Sequence, residues 1–245
     1  MTMAWDTLCN TLGRAEPALC GAGGAISTLP AGLAARLAAF TRPVWLNAQT
    51  WQSVLHDLFS RNTNLAELVM EDLAAIAGRN LEEGGLVATW IGGRGFHALF
   101  AHRAIHALWQ ENRRELALAL KASLYATGCD IHPAARFGRR IFLDHAVGTV
   151  IGETATIGDD VSLWHGVTLG STLMEEGDRH PKIGPGAVIG AGAIILGNIT
   201  IGRGAIVAAG SVVLHAVPPW RVVAGNPAAL KTGYVHPFGM KPEQD

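Results

Sequence analysis

From residue 131 onward an aliphatic or aromatic residue returns every six positions, and few sequence features restrict a fold more tightly. Ile131, Phe137 and Leu143 form a first series. Ile151, Ile157, Leu163 and Leu169 form a second, and Ile183, Ile189, Ile195, Ile201, Val207 and Val213 a third. Small residues stand two places earlier in many units, at Ala135, Ala155, Ala187, Ala193, Ala205 and Ser211, and glycine often follows. Neither a helix, with its period near 3.6, nor an ordinary strand, with its period of 2, keeps core residues in phase at six. A parallel β-helix does: three hexapeptides make one triangular coil, each aliphatic points inward, and glycine permits the tight corners. Pro218 and Pro219 are expected to end the ladder.

The first half follows a different pattern. Up to about residue 125 the chain is rich in Leu and Ala at helical spacing, as in Leu65, Leu68, Val69, Leu73, Ile76 and again Phe96, Leu99, Phe100, Ile105, Leu108, Trp109. This predicts a bundle of several helices. Breaks are expected near Gly21–Gly24, at Pro43 and at Gly84, Gly85, Gly92 and Gly93. The last helix is predicted from about Arg94 to Tyr125, interrupted around Glu111–Arg114.

Composition narrows the function classes. A net charge of −1 offers no basic surface to neutralise phosphates, which argues against nucleic acid. Apolar runs such as Leu116–Leu120 fall well short of the roughly 20 residues that cross a bilayer, and the first ten residues carry no basic leader, so no membrane role and a cytoplasmic location are expected. With 49% hydrophobic residues, only 16% charged and 30 glycines, much of the surface is expected to be hidden in a homo-oligomer. Cys9, Cys20 and Cys129 lack metal spacing and suit reduced thiols; Cys129 reads as a small core residue.

The chemistry is expected where the repeat loses register. Leu143 to Ile151 is eight residues and Leu169 to Ile183 is fourteen, each two beyond a multiple of six. The first break holds Asp144 and His145, the second Asp178, Arg179 and His180. Insertions leave a solenoid as surface loops while the core stays in phase. Side chains suited to proton transfer and carboxylate binding in both loops point to a site. Histidines at 97, 102 and 106 on helical spacing read as ordinary helix residues, and His132, His165 and His215 receive no role.

These residues sit within longer runs: DIHPAARFG (130–138), LDHAVGTVIGETA (143–155), then VTLG, GDRHPKIG, GAGAIILGNI and AGNPA. In this order they resemble serine O-acetyltransferase, a family of the hexapeptide-repeat acyltransferase superfamily, over roughly residues 94 to 230. The resemblance implies an α+β protein: a helical domain over 1–128, a left-handed parallel β-helix of hexapeptide repeats over 129–217 with an active-site loop near 170–182, and a C-terminal tail over 218–245. It implies acetyl transfer from acetyl-CoA, a co-substrate, to the hydroxyl of L-serine in cysteine biosynthesis, with no metal.

Carried over by position, the resemblance makes His145 the general base and Asp130 its supporting carboxylate. Such a base takes the serine proton during attack and then protonates the departing thiolate. Asp144 is expected to bind the substrate ammonium and Arg179 its carboxylate. His180 is expected to hold the acceptor with Glu153 orienting it, and Thr172 to join them. Gly170, Ser171, Ala191 and Ala209 are expected to line the CoA groove, with amides at Gly170 and Ser171 facing the oxyanion. A homotrimer with sites shared between adjacent β-helices, or a dimer of trimers, is implied.

Three features depart from the family pattern. The loop reads VTLGSTLMEEGDRHPKIG, with Ser171, Leu173 and Met174 in place of small or basic residues and Glu175 and Glu176 added. The helical-domain aspartate has only Asn80, Glu82 and Glu83 as counterparts. The terminal isoleucine that docks the next enzyme is absent, so a cysteine synthase complex is not expected. Alternative readings keep the fold and change the acceptor to homoserine or another small hydroxyl compound, invoke a zinc-dependent carbonic anhydrase, or make the chain a non-enzymatic assembly scaffold.

Overall fold

Across the repeat, core residues one coil apart meet in register. Ile131 pairs with Ile151, Ile151 with Leu169, Leu169 with Ile195 and Ile195 with Val213. A computed structural model of the chain describes residues 2–15, 28–41, 43, 46–80, 84–124, 127–174, 176–233 and 235–241. It divides into two compact units, residues 1–124 and 125–245.

The second unit is a left-handed β-helix with three parallel sheets as its faces. The first sheet stacks β1 (Asp130–Ile131), β4 (Val150–Ile151), β7 (Thr168–Gly170), β10 (Ile194–Leu196) and β13 (Val212–Val213). The second stacks β2 (Arg136–Phe137), β5 (Thr156–Ile157), β8 (Lys182–Ile183) and β11 (Thr200–Ile201). The third stacks β3 (Phe142–Leu143), β6 (Ser162–Leu163), β9 (Val188–Ile189), β12 (Ile206–Val207) and β14 (Val222–Ala224), with β15 (Ala229–Lys231) antiparallel at its end. All the six-residue positions are buried except Phe137, which is half-buried, and the small residues two places earlier are buried beside them. Each buried Ile, Leu or Val contributes about 1.5–3 kcal/mol of transfer free energy.

Gly148, Gly166, Gly192 and Gly210 take left-handed φ values of 72°, 71°, 67° and 68° at one corner and stack through amide bonds of 2.7–2.9 Å to the preceding turn. A Cβ on Gly166 would lie 3.4 Å from the Gly192 Cα, so the corner is small because the coils approach closely there.

Both register breaks leave the core undisturbed. Ile183 pairs with Ile157 below and Ile201 above despite the long loop before it. The end of the coil differs from the sequence expectation. Val217 bridges Ile201, and β14 continues the third sheet beyond Pro218 and Pro219. The prolines are tolerated because they occupy a turn: the ladder uses the Val217 N–H, 2.9 Å from the Thr200 carbonyl, and the Arg221 carbonyl, 2.8 Å from the Ile206 N–H. Further along, His236 Nε2 donates to the Gly186 carbonyl at 2.9 Å, and Phe238 stacks on Trp164 with ring centroids 6.3 Å apart. Several described residues beyond 218, among them β14, His236 and Phe238, thus pack against the coil.

The first unit holds α1 (Thr2–Ala15), α2 (Leu29–Phe40), α3 (Ala48–Arg61), α4 (Thr63–Arg79), α5 (Gly85–Gly92), α6 (Arg94–Gln110) and α7 (Arg114–Ala122). Thr28, Asn47 and Asn62 cap α2, α3 and α4 by accepting from backbone N–H groups three residues on. Trp51, Phe59, Leu73, Phe96, Phe100 and Ile105 lie at its centre. The anticipated interruption falls between α6 and α7, where Asn112 adopts φ 60°. Asp72 on α4 and Arg103 on α6 form a buried two-point ion pair at 2.8 and 3.1 Å, which hydrophobic periodicity does not reveal. Among the described residues, no helix is long and apolar enough to cross a membrane.

Candidate active site

The corner formed by the first register break is strained. His145 and Ala146 are consecutive residues with left-handed φ, 56° and 65°. Side chains disfavour this region, so the surrounding coil must impose it. The Ala146 N–H closes a three-residue turn on the Asp144 carbonyl at 2.6 Å. The turn leaves the His145 side chain half exposed, with Nε2 3.4 Å from Asp144 Oδ2. Its ring meets that of His165, one coil away, edge to face at a centroid distance of 5.7 Å. Above His165 the same corner carries Ala191 and Ala209, linked by the amide bonds Gly192 N to His165 O and Gly210 N to Ala191 O. A Cβ added to Gly192 or Gly210 would meet no atom within 4 Å, so this edge is open.

The other edge of the first sheet carries the second loop. Arg179 Nη2 pairs with Glu153 Oε2 at 2.8 Å, and Nη1 donates to the Gly177 carbonyl at 3.0 Å. The adjacent guanidinium holds the Glu153 carboxyl below the usual carboxylate range. Lys182 pairs with Asp178 and lowers its pKa in the same way. His180 is buried at 7% exposure. Burial pushes it below the ordinary histidine value, and Arg179 and Lys182 add to the effect while Glu153 opposes it. Gly152 makes room for the ring: a Cβ there would lie 2.0 Å from His180 Nε2.

The predicted residues therefore gather into two groups. Asp144, His145, Ala191 and Ala209 share one edge. Asp130 begins β1 at the same side of the sheet, its N–H bonded to the Thr149 carbonyl at 2.9 Å, but the carboxylate beside the His145 ring is Asp144. The close turn at His145 brings these consecutive side chains together. Glu153, Arg179, His180, Gly170, Ser171 and Thr172 lie along the second edge. About four residues of extended chain, roughly 13 Å, separate the corners at Gly148 and Gly152.

Glu153 acts on His180 through its charge, which raises the histidine pKa, and not through a hydrogen bond among the described residues. It binds Arg179, and Thr154 meets His180 Nδ1 instead, through its hydroxyl at 2.9 Å and its backbone N–H at 3.2 Å. Thr154 does not stand out in the sequence and His165 receives no role there; their positions at the same corners as Glu153 and His145 are the signal that could have found them. Asn80 is the C-cap of α4. Glu82, Glu83, Cys20 and Glu175 lie outside the described residues, and Glu176 is exposed. Among the described residues, no group of three or more His, Cys, Asp or Glu side chains is arranged to hold a metal ion.

Comparison with known proteins adds independent findings. Residues 24–101 match the family model "Serine acetyltransferase, N-terminal", and residues 180–215 match "Bacterial transferase hexapeptide (six repeats)". Serine acetyltransferase 2 of Arabidopsis thaliana is 56% identical over 138 residues, 56% of this chain and 43% of the relative. The chloroplastic serine acetyltransferase 1 of the same plant is 47% identical over 193 residues, 78% of this chain and 62% of the relative. The matched region thus spans less than two thirds of these curated relatives. Among solved structures, the soybean serine acetyltransferase complexed with serine superposes with a TM-score of 0.86 at 42% identity, covering 94% of this chain and 98% of that one. The Brucella abortus serine acetyltransferase in complex with coenzyme A gives 0.84 at 36% identity, covering 95% and 97%.

Proposed function

Because the chain belongs to the serine acetyltransferase family, we propose that it transfers acetyl from acetyl-CoA to the hydroxyl of L-serine, giving O-acetyl-L-serine and CoA. Its similarity to structures bound to serine and to coenzyme A supports both substrates. The observation that carries the mechanism is the division of functional side chains between two edges of one sheet.

A small amino acid cannot reach across roughly 13 Å to touch both edges of one protomer. A neighbouring β-helix in a trimer can bring the His145 edge of one copy to the Arg179 edge of the next. The acceptor carboxylate then meets Arg179 and His180, its ammonium meets Asp144, and its hydroxyl meets the His145 imidazole. Thr172 borders the acceptor on the loop. The pantetheine arm runs along the open corner at Ala191 and Ala209, with Gly170 and Ser171 contributed from the opposing edge.

His145 removes the hydroxyl proton as oxygen attacks the thioester, the amides at Gly170 and Ser171 stabilise the tetrahedral oxyanion, and the protonated imidazole returns the proton to the leaving thiolate. Asp130 assists from the adjacent strand. The transfer balances without any other reactant: the C–S bond breaks, a C–O bond forms, and one proton passes from serine oxygen to CoA sulfur. Domain roles follow, with catalysis in 129–217 and assembly of trimers into hexamers through 1–128. The cytoplasm is the proposed compartment, and fractionation of cells would test it.

The decisive experiment follows thiol release with serine and homoserine in parallel, for wild type and His145→Ala. Serine turnover reduced about 10²-fold or more by the substitution supports the reading. A higher kcat/KM for homoserine replaces the acceptor, and unchanged kcat in His145→Ala removes the assigned base.

A further inference from the structure

Thr154 is the hub of the Arg179 edge, although nothing in the proposed chemistry by itself calls for a threonine there. Its Oγ1 lies 3.0 Å from the Arg179 N, 3.1 Å from the His180 N and 2.9 Å from His180 Nδ1. Its own N lies 3.2 Å from Nδ1, and its carbonyl accepts from Lys182 Nζ at 2.8 Å. A hydroxyl has two acceptor sites and one proton. The two backbone N–H groups can only donate, so they take both acceptor sites, and the hydroxyl proton is left for Nδ1 or for the Asp178 carboxylate, which also hydrogen-bonds this side chain.

The Thr154 N–H is itself a donor aimed at Nδ1, and no pH change in the physiological range removes it. Nδ1 must therefore offer its lone pair. The single proton of the neutral ring is left on Nε2, which has no hydrogen-bond partner among the described residues. A protonated imidazole would carry N–H on both nitrogens and drive one of them against the Thr154 amide. Three of the charged or titratable groups facing the ring, Arg179, Lys182 and His132, act in the same sense by disfavouring a positive charge, while Glu153 opposes them.

We propose that Thr154 locks His180 as the neutral imidazole protonated at Nε2. His180 then serves the transfer as a hydrogen-bond donor to the acceptor carboxylate, and proton abstraction is left to His145. This rests on reading the 178–182 loop as the acceptor's carboxylate site. Thr154 is a positioning residue: one hydroxyl fixes the backbone of both Arg179 and His180 and the tautomer of the ring. This keeps the expectation from sequence that His180 holds the acceptor and gives the orientation of its ring to Thr154 in place of Glu153.

The test uses the full chain labelled with 15N-histidine and studied by solid-state 15N spectroscopy of the sedimented protein, with the His180 signals identified by their loss in His180→Asn. A protonated Nε2 and an unprotonated Nδ1, persisting from about pH 8 to about pH 6, are expected, whereas an ordinary exposed histidine titrates in that interval. A proton on Nδ1, or a titration midpoint at the ordinary histidine value, overturns the lock. Two variants test the positioning. Thr154→Val keeps the volume and the backbone N–H, and should raise KM for serine roughly tenfold while leaving KM for acetyl-CoA within about twofold. Thr154→Ser should restore the serine KM. A wild-type serine KM in Thr154→Val refutes the positioning role. The spectrum reads the tautomer whether or not serine is the acceptor, so failure of serine acetylation would sink the functional reading and leave the lock to be judged on the nitrogen shifts.

Discussion

Adding one methyl group at Gly152 should disable the His180 edge without unfolding the β-helix. In Gly152→Ala the new Cβ would lie 2.0 Å from His180 Nε2 and Cδ2 and 2.8 Å from Cε1. Relaxed carbon–nitrogen contacts need about 3.5 Å, so the ring must retreat by about 1.5 Å. It then leaves the Thr154 hydroxyl and amide, now at 2.9 and 3.2 Å. A misplacement of about 1 Å at a reacting centre costs on the order of 10²-fold in rate. We expect kcat/KM for serine to fall about 10²-fold, equivalent to about 2.7 kcal/mol. The backbone at Gly152 lies outside the left-handed region and the displaced group is the end of a side chain, so the thermal midpoint should change little. Gly78→Ala is the control, because a Cβ there meets nothing within 4 Å. It should leave activity unchanged and stabilise α4 by up to about 1 kcal/mol. Steady-state thiol release beside thermal melts reads both quantities. If Gly152→Ala keeps kcat/KM within about threefold of wild type, the observed ring position is irrelevant to turnover and the reasoning fails.

Other perturbations test the rest of the architecture. Arg103→Met strands the Asp72 carboxylate in the helical core and should cost about 3–5 kcal/mol in urea unfolding, while Asp72→Leu combined with Arg103→Met should recover most of it; a single variant as stable as wild type would show the pair to be dispensable. The Thr149 hydroxyl is buried with no hydrogen-bond partner among the described residues, so Thr149→Val should be neutral or slightly stabilising in a thermal melt, and a loss above about 1 kcal/mol would reveal a partner. His97 and His180 are both held below the ordinary histidine value, chiefly by burial. Below about pH 6.5 the unfolded chain takes up their protons first, so their stabilising effect is present above that pH and is lost as pH falls through the native values. The thermal midpoint should therefore drop between about pH 7 and pH 5, less so in His97→Asn or His180→Asn; a midpoint rising on acidification contradicts the sign.

The β-helix was legible because each coil is encoded by neighbours in sequence. Ile183, Ile189 and Ile195 announce their own burial through spacing alone, and the two register breaks mark the loops. The ladder runs past Pro218 because the prolines occupy a turn rather than a strand, where Val217 and Arg221 carry the bonds instead. Asp72 and Arg103 were invisible because their pairing joins two helices 31 residues apart. Resemblance links Glu153 to His180, but the hydrogen-bond partners depend on stacking: Glu153 binds Arg179, and Thr154, beside it in the chain, meets the ring.

Sequence by itself determined the period, hence the parallel coil, its inward-facing residues and the two places where chemistry leaves the core. These are consequences of short-range steric pattern, which a solenoid repeats without needing distant contacts. Only the tertiary structure decided which side chains meet. The left-handed turn at His145, the Gly152 gap under the His180 ring and the Thr154 bonds 26 residues along the chain depend on coils stacking at fixed height. Hydrogen-bond partners, and therefore tautomers and pKa directions, follow from that stacking rather than from any local run of residues.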